Sequence, residues 1–243
     1  MDEAGDPEFD GVDYDEEAAL VKDRLGFLPT SVWDVGKSKR WVDLIHDWGD
    51  PTGSVRKAGD KHQPGAIKFS EFNPDVADRI VRLWSKKGDV VVDPFGGRAT
   101  RAVVCAVLGR EYRGFEISPA THALTLRRVE SVARVEGTKL TSAWVPPEVT
   151  LGDGVAMAGV PDASADLVLT CPPYWNVEEY ESVPGQLSDK SDYQEFMGLI
   201  RACFRRVAAV LKPGKHAVWV VADMRRDGRL IRIGRDVELA GEA

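Results

Sequence analysis

From about residue 73 onward, the chain alternates between stretches with helical spacing of apolar residues and short unbroken apolar runs. The first stretch opens with Asn73 and Pro74, a typical N-cap and first helical position, and its apolar face continues towards Gly88. The β-branched run 90–92 then predicts a buried strand, which a glycine-rich turn joins to a second helix over about 98–108. A strand, a tight turn and a helix in this order indicate one unit of a parallel α/β sheet.

The same alternation continues to about residue 221. Apolar runs predict further strands over 112–117, 149–151, 167–170 and 216–221. Helices are predicted from about Pro119 and from Ser191, where Gln194 completes a capping-box pattern; the latter helix ends at Lys212-Pro213-Gly214. Repeated strand and helix units with buried strands predict an α/β fold with a doubly wound, mainly parallel sheet.

Two segments precede this predicted domain, which covers residues 69–243. Residues 1–17 contain nine acids and no Lys or Arg, and so acidic a stretch with few apolar residues predicts a disordered tail. Residues 18–68 form a helical and loop segment in which one buried helical face is predicted. That face carries Trp41, Leu44, Ile45 and Trp48, and its tryptophans are expected in the core rather than stacked on bases.

The net charge of −7 comes from the acidic tail. The rest of the chain carries 30 acids against 32 Lys and Arg, a balance that permits a nucleic-acid partner without requiring one. The chain has neither an apolar run of about 18 residues nor a signal peptide, so no membrane association and a cytoplasmic location are expected. Its cysteines, Cys105, Cys171 and Cys203, lack disulfide or metal-ligand spacing, so no metal site is predicted.

Chemically distinctive residues follow four of the predicted strands. Asp93 closes the first strand, and Glu116 lies near the end of the second. Asp153 follows the third strand, and Cys171 begins a Cys-Pro-Pro-Tyr segment after the fourth. The carboxyl ends of parallel strands meet along one edge of a sheet, where ligands bind, so these residues are expected in one crevice.

The residues after the first two strands indicate a nucleoside site. Gly96 and Gly97 permit a ligand to approach the backbone, and Glu116 is placed to accept hydrogen bonds from ribose hydroxyls. Asp93 would suit a cationic group of the ligand. The sequence has neither the G-x-G-x-x-G spacing nor a Walker lysine here, which argues against NAD and against ATP phosphates.

Two segments of the chain resemble the amino-group DNA methyltransferases that use S-adenosylmethionine. They are Asp93-Pro94-Phe95-Gly96-Gly97-Arg98-Ala99-Thr100 and Cys171-Pro172-Pro173-Tyr174-Trp175. That family pairs a D-P-F-x-G-x-G-T cofactor loop with a [D/N/S]-P-P-[Y/F] catalytic loop on a Rossmann-like fold. The resemblance spans roughly residues 64–223.

The resemblance implies S-adenosylmethionine as the cofactor and assigns its contacts. The segment 69–74 resembles the one that holds the methionine part, Glu116 matches the ribose-binding acid, and Asp153 matches the residue near the adenine. The implied cofactor-binding residues are Phe69, Phe72, Asn73, Asp93, Pro94, Phe95, Gly96, Gly97, Thr100, Glu116, Ile117 and Asp153.

The resemblance also implies that Cys171, Pro172, Pro173 and Tyr174 are catalytic and that the substrate is the exocyclic amine of a base in double-stranded DNA. Such an amine is a weak nucleophile because its lone pair is delocalised into the ring. The Pro-Pro turn is stiff, its carbonyl can accept one N–H of the amine, and Tyr174 supplies a face for the extruded base. Direct displacement at the sulfonium then needs no metal.

Two positions depart from the family pattern. Ala99 stands where glycine is usual, and Cys171 stands where Asp, Asn or Ser is usual, so the side-chain acceptor is weaker. Thiol attack, as in enzymes that methylate the cytosine ring carbon, is the alternative; in those enzymes the cysteine follows the proline, whereas Cys171 precedes it. Family members with Pro-Pro-Tyr-Trp and a small residue before it are often cytosine enzymes, so at Cys171 and Trp175 the resemblance slightly favours cytosine over adenine.

Other functions stay open at this stage. They are methylation of RNA, methylation of a protein amide, and an inactive remnant that binds only cofactor or DNA. Only 20 residues follow Asp223, too few for the strand pair and target-recognition region that normally complete the family. The chain is therefore expected to be truncated at its C-terminus or to rely on a homodimer or a separate recognition subunit.

Overall fold

The centre of the fold is a sheet of five parallel strands in the order β3-β2-β1-β4-β5. The strands are β1 (Val90–Asp93), β2 (Glu111–Glu116), β3 (Glu148–Leu151), β4 (Ala165–Thr170) and β5 (Leu211–Trp219). The chain runs outward from β1 to β3 and then returns to the other side of β1 for β4 and β5. This is the doubly wound α/β fold, of the Rossmann-like kind, that the sequence predicts.

Five helices and a short strand pair accompany the sheet in the computed structural model, which describes residues 38, 40, 41, 44, 72–136, 143–175, 183–226 and 229–242. The helices are α1 (Pro74–Trp84), α2 (Thr100–Val107), α3 (Pro119–Glu136), α4 (Tyr193–Val210) and α5 (Ile233–Glu242). The additional strands, β6 (Met224–Arg226) and β7 (Arg229–Ile231), pair antiparallel in a separate sheet. None of these described helices is long and apolar enough to cross a membrane.

Burial explains why the central strands are β-branched and apolar. Every residue of β4 is buried, and Val92 and Val168 pack in one cluster with Cys203 and Val207 of α4. Every residue of α2 is also buried, because α1, α3 and β2 surround it. Helices thus cover the parallel strands, as such sheets require.

Two predicted boundaries around α4 were wrong. The N-cap is Asp192 rather than Ser191, and its carboxylate accepts a hydrogen bond from Gln194 N over 2.7 Å. Strand β5 begins at Leu211, directly after the helix, because Leu211 pairs with Ala165 of β4. The Lys-Pro-Gly segment that was predicted to end the helix therefore belongs to the strand.

The segments outside this domain are less fully described. The predicted acidic tail, most of residues 18–68, and Phe69 lie outside the described residues. Trp41 is described as helical and is 2% exposed, which confirms its predicted place in the core. Nearby, Ser38 N donates to the Asp75 carboxylate of α1 over 3.0 Å.

The β6–β7 pair was not predicted. Both strands lie after Asp223, each is three residues long, and helix α5 follows them. The residues between the two strands are Asp227-Gly228, a combination typical of two-residue hairpin loops, and this signal could have predicted the pair.

Candidate active site

A cavity of about 270 Å³ opens beside the carboxyl ends of β1 and β4, where the strand order reverses. Ligands of doubly wound sheets bind at this position. The predicted site residues that line the cavity are Phe72, Asn73, Pro94, Phe95, Gly96, Gly97, Thr100, Glu116, Ile117, Asp153, Cys171, Pro172, Pro173 and Tyr174. The predicted cofactor loop after β1 and the predicted catalytic loop after β4 therefore face one space.

Two backbone amides hold the Glu116 carboxylate at the wall of this cavity. Gly97 N donates to Oε2 over 3.1 Å, and Ser118 N donates to Oε1 over 2.8 Å. Burial raises the pKa of Glu116, and these backbone hydrogen bonds oppose that rise only in part. Each carboxylate oxygen can accept a further hydrogen bond, so the group can receive donors such as hydroxyls from a ligand in the cavity.

Close backbone contacts position the loop that carries Asp153. A Cβ on Gly154 would lie 1.7 Å from the Pro94 carbonyl oxygen, so this position has no room for any side chain. Asp153 itself accepts a hydrogen bond from Val155 N over 2.8 Å. The absence of a side chain at Gly154 therefore lets this loop pack directly on the cofactor loop.

Ala99 adopts a backbone conformation that favours glycine, the residue usual at this position in the family that the sequence resembles. Its φ is +78°, in the left-handed region, at the N-cap of α2. An L-residue in that conformation costs about 1–2 kcal/mol, which glycine avoids. Because Ala99 is completely buried, the surrounding core holds it in this conformation.

The start of α1 forms another part of the wall. Asn73 caps the helix: its side-chain oxygen accepts from Asp75 N over 2.8 Å and from Val76 N over 3.4 Å. The Phe72 ring lies 4.8 Å from the guanidinium carbon of Arg101, a cation–π contact. The cap explains the local fold here, and the cation–π contact ties the segment before α1 to α2.

Asp93 lies behind the cavity wall. It is 0% exposed and accepts four hydrogen bonds, which define the Asp93 network. Its donors are Phe95 N at 3.1 Å, the Thr170 hydroxyl at 2.8 Å, Arg101 Nε at 2.6 Å and the Tyr112 hydroxyl at 2.8 Å. Asp93 was expected to contact a cationic group of the ligand. In the structure, the cation beside its carboxylate is instead Arg101 of the same chain.

Arg101 lines the cavity and was not predicted from the sequence. Burial alone would lower the pKa of Arg101, but the adjacent Asp93 carboxylate outweighs this, so the net shift is upward and the group stays charged. Arg101 also donates to the Phe95 carbonyl oxygen. No sequence pattern marks this residue, because its partners lie on other elements.

The catalytic loop is held where it leaves β4. The Thr170 hydroxyl donates to Asp93, and the Thr170 carbonyl oxygen accepts from Val220 N over 2.8 Å. Beyond it, Cys171 is half-buried and Pro172 is buried. Asp93 thus contacts both loops of the cavity, through Phe95 on one side and Thr170 on the other.

Trp175 holds the other end of this loop and is not among the residues that line the cavity. Its indole Nε1–H donates to the Lys190 carbonyl oxygen over 2.8 Å, and its ring meets Tyr193 edge-on at 5.1 Å between centroids. Trp175 therefore packs against the start of α4.

A further wall segment, Gly185-Gln186-Leu187, has no motif and was not predicted. Gly185 has a φ of +93°, and a Cβ there would lie 3.1 Å from Ile117 Cδ1. A glycine at this position therefore allows the segment to approach the end of β2. The isolated glycine in a polar loop was the only sequence signal.

The other cysteines are structural. Cys105 and Cys203 are fully buried in the core, and burial raises the pKa of both thiols. Within the described ranges, no group of three or more His, Cys, Asp and Glu side chains is arranged to hold a metal ion.

Comparisons with known proteins bear on this site. Residues 12–127 match a family model described as DNA methylase. The Type II methyltransferase M.BamHI of Bacillus amyloliquefaciens is 40% identical over 76 residues, which cover 31% of this chain and 17% of that protein. The orphan methyltransferase M.BamHII of the same species is 38% identical over 73 residues, which cover 29% of this chain and 26% of that protein.

The matched segments thus span between about a sixth and a quarter of these curated relatives. Among solved structures, the geranyl diphosphate C-methyltransferase of Streptomyces coelicolor A3(2), in complex with S-adenosyl-L-homocysteine, is 13% identical with a TM-score of 0.41. That match covers 60% of this chain and 44% of the other. The family model and the curated relatives thus make parts of this chain similar to DNA methyltransferases, and the family model covers somewhat less than half of its residues.

Proposed function

We propose that this protein transfers a methyl group from S-adenosylmethionine to the exocyclic amine of a base in DNA. The observation that carries the proposal is that the cofactor loop and the catalytic loop line one cavity of about 270 Å³. A methyl donor and an acceptor amine held in one cavity react as an intramolecular pair, which lowers the entropic part of the barrier.

The residues of the cavity fit S-adenosylmethionine by their chemistry. The fixed Glu116 carboxylate would accept hydrogen bonds from the ribose hydroxyls, and Ile117 offers an apolar surface to the adenine. Phe72 and Asn73, at the start of α1, would hold the methionine part. Gly96 and Gly97 leave the backbone of the cofactor loop open to close approach.

When bound, the cofactor supplies an electrophilic methyl group on a positively charged sulfur. The chain has to orient the base amine and localise its lone pair. The Pro172 carbonyl oxygen would accept one N–H of the amine, and Cys171 offers only a weak acceptor for the other. The Tyr174 ring would stack on the extruded base, a contact worth about 1–3 kcal/mol.

We further propose cytosine as the target base. The support is the neutral thiol of Cys171 at the cavity, which leaves no carboxylate in the catalytic segment. Trp175 no longer supports this choice, because its indole is hydrogen-bonded to the Lys190 carbonyl oxygen. Mass spectrometry of nucleosides from methylated DNA distinguishes the targets, and a methyl group on the adenine amine alone would contradict the choice of cytosine.

Transfer of label from methyl-labelled S-adenosylmethionine to DNA, RNA and protein tests the reaction. We expect label in DNA alone. Tyr174→Ala should lose methyl transfer much more than cofactor affinity, and Tyr174→Phe, which keeps the ring, should retain it. Label in RNA or in a protein amide instead of DNA would refute the proposal.

The mechanism has a separate test in Cys171. Direct displacement predicts that Cys171→Ala costs less activity than Tyr174→Ala. An inactive Cys171→Ala variant, or a covalent adduct with DNA that contains a fluorinated cytosine, would instead establish thiol attack.

Double-stranded DNA is the proposed partner, and target recognition is proposed to depend on a second copy of the chain or on a separate subunit. Light scattering with and without DNA measures which of these assemblies forms. A cytoplasmic location also stays a prediction.

A further inference from the structure

The β6–β7 pair lies beside the catalytic loop. It starts four residues after Val220, which lines the cavity. Its residues Met224 and Ile231, which pair with each other, pack against the same apolar cluster as Tyr174 and Trp175. Anything that contacts this strand pair from outside is therefore next to the proposed base-binding loop.

The outer surface of this region is exposed and cationic. Arg229, Arg232 and Arg235 are exposed, and Leu230 is 46% exposed. In the register of the pair, position 226 lies opposite Arg229, and the sequence has arginine at both. The three exposed arginines give this surface positive charges that attract anions.

Arg229, Arg232 and Arg235 form no ion pair with a carboxylate among the described residues, and the same holds for other exposed cations such as Lys87 and Arg201. Elsewhere, such pairs include Arg82 with Asp78, Arg134 with Glu130, Arg206 with Asp162 and Lys212 with Asp166. Two described acids of the region have hydrogen-bond donors other than these arginines: Asp223 accepts from Gly234 N over 3.0 Å, and Asp236 accepts from the Tyr193 hydroxyl over 2.6 Å.

We infer that the β6–β7 pair and the start of α5 bind the phosphate backbone of duplex DNA next to the base that is methylated. The inference rests on the proposed function, and it adds where the DNA docks. Exposed arginines suit phosphate oxygens, which fix the position of a protein on the duplex without reading its sequence. The surface therefore supplies affinity and register, and it leaves sequence recognition to other parts of the complex.

The test is the salt dependence of DNA binding by the double variant Arg229→Gln/Arg232→Gln. Each lost phosphate contact reduces the slope of log K against log salt by about 0.9, so we expect a decrease of about 1.8. At about 0.15 M salt this difference corresponds to a loss of about 30-fold in DNA affinity. The KM for DNA should rise accordingly, whereas the affinity for S-adenosylmethionine should stay at the wild-type value.

A matched control removes two charges elsewhere. Lys86→Gln/Arg134→Gln changes two exposed residues near the amino ends of the strands. Lys86 lies just before β1, Arg134 lies at the end of α3, and the double variant should keep the wild-type slope. If the first double variant melts at a lower temperature, the single variants Arg229→Gln and Arg232→Gln replace it, each with an expected decrease of about 0.9 in the slope. Arg229→Lys/Arg232→Lys retains the charge and should retain the slope. A wild-type slope in Arg229→Gln/Arg232→Gln, with methyl transfer to DNA intact, overturns the docking surface alone. A wild-type protein that neither binds nor methylates DNA overturns the proposed function, and the docking surface with it.

Discussion

Replacing Asp93 by Asn tests whether the Asp93 network holds the two loops of the cavity together. Asn has the same size, but one of its two oxygens becomes an NH₂ group, which donates. In one orientation this group faces Nε–H of Arg101, and in the other it faces N–H of Phe95. Either orientation brings two donors together, and Arg101 loses its buried counter-charge.

The size of the effect follows from burial. Removing one partner of a buried ion pair costs about 3–5 kcal/mol, a large part of the roughly 5–15 kcal/mol by which a domain is stable. Asp166→Asn is the matched control, because Asp166 is also nearly buried but pairs with Lys212 and Lys215, which are 40% and 37% exposed. These lysines can turn to water, so we expect a loss of about 1 kcal/mol or less.

Urea unfolding measures the difference in the free energy of unfolding between the two variants, provided that the slope of this free energy against urea concentration stays the same. Calorimetry with S-adenosylmethionine should also reveal weaker binding by Asp93→Asn, since Arg101 and the backbone at Phe95 are no longer held. Equal losses of stability in Asp93→Asn and Asp166→Asn, with unchanged cofactor affinity, would refute the role of the network.

Three further predictions concern the walls of the cavity. The free energy of unfolding in urea should be about 2 kcal/mol higher for Ala99→Gly than for Ala102→Gly. Both variants lose a buried methyl group, but Ala99→Gly relieves a left-handed backbone, whereas Ala102→Gly places glycine inside a helix. Equal midpoints would contradict this reasoning. Gly154→Ala should lower the free energy of unfolding by about 1–3 kcal/mol, because its Cβ would overlap the cofactor loop. Gly198→Ala has open space around its Cβ and should raise the stability measured by thermal unfolding by about 0.5–1 kcal/mol. Because the pKa of Glu116 is raised, calorimetry should reveal cofactor affinity that falls as the pH decreases through that raised value, and Glu116→Gln should bind weakly with no such step.

Much of the fold was predictable from sequence because it depends on neighbours along the chain. Asn73 and Pro74 marked the start of α1, and the unbroken apolar runs marked β1 and β4, since fully buried strands need apolar residues on both faces. The order of these elements then implied a doubly wound sheet. The loops after the strands were also predictable, because their residues are contiguous and distinctive.

The tertiary structure alone decided what those residues contact. Asp93 was expected to face a ligand, yet its partners include Tyr112, 19 positions later, and Thr170, 77 positions later, which no local pattern relates to it. Tertiary contacts also set the position of Trp175, whose indole is hydrogen-bonded to the Lys190 carbonyl oxygen. They set the start of β5 as well, because Leu211 pairs with β4. Local sequence biases the backbone conformation over a few residues, whereas the partners of a buried polar group are set by which distant elements the packing of the sheet brings beside it.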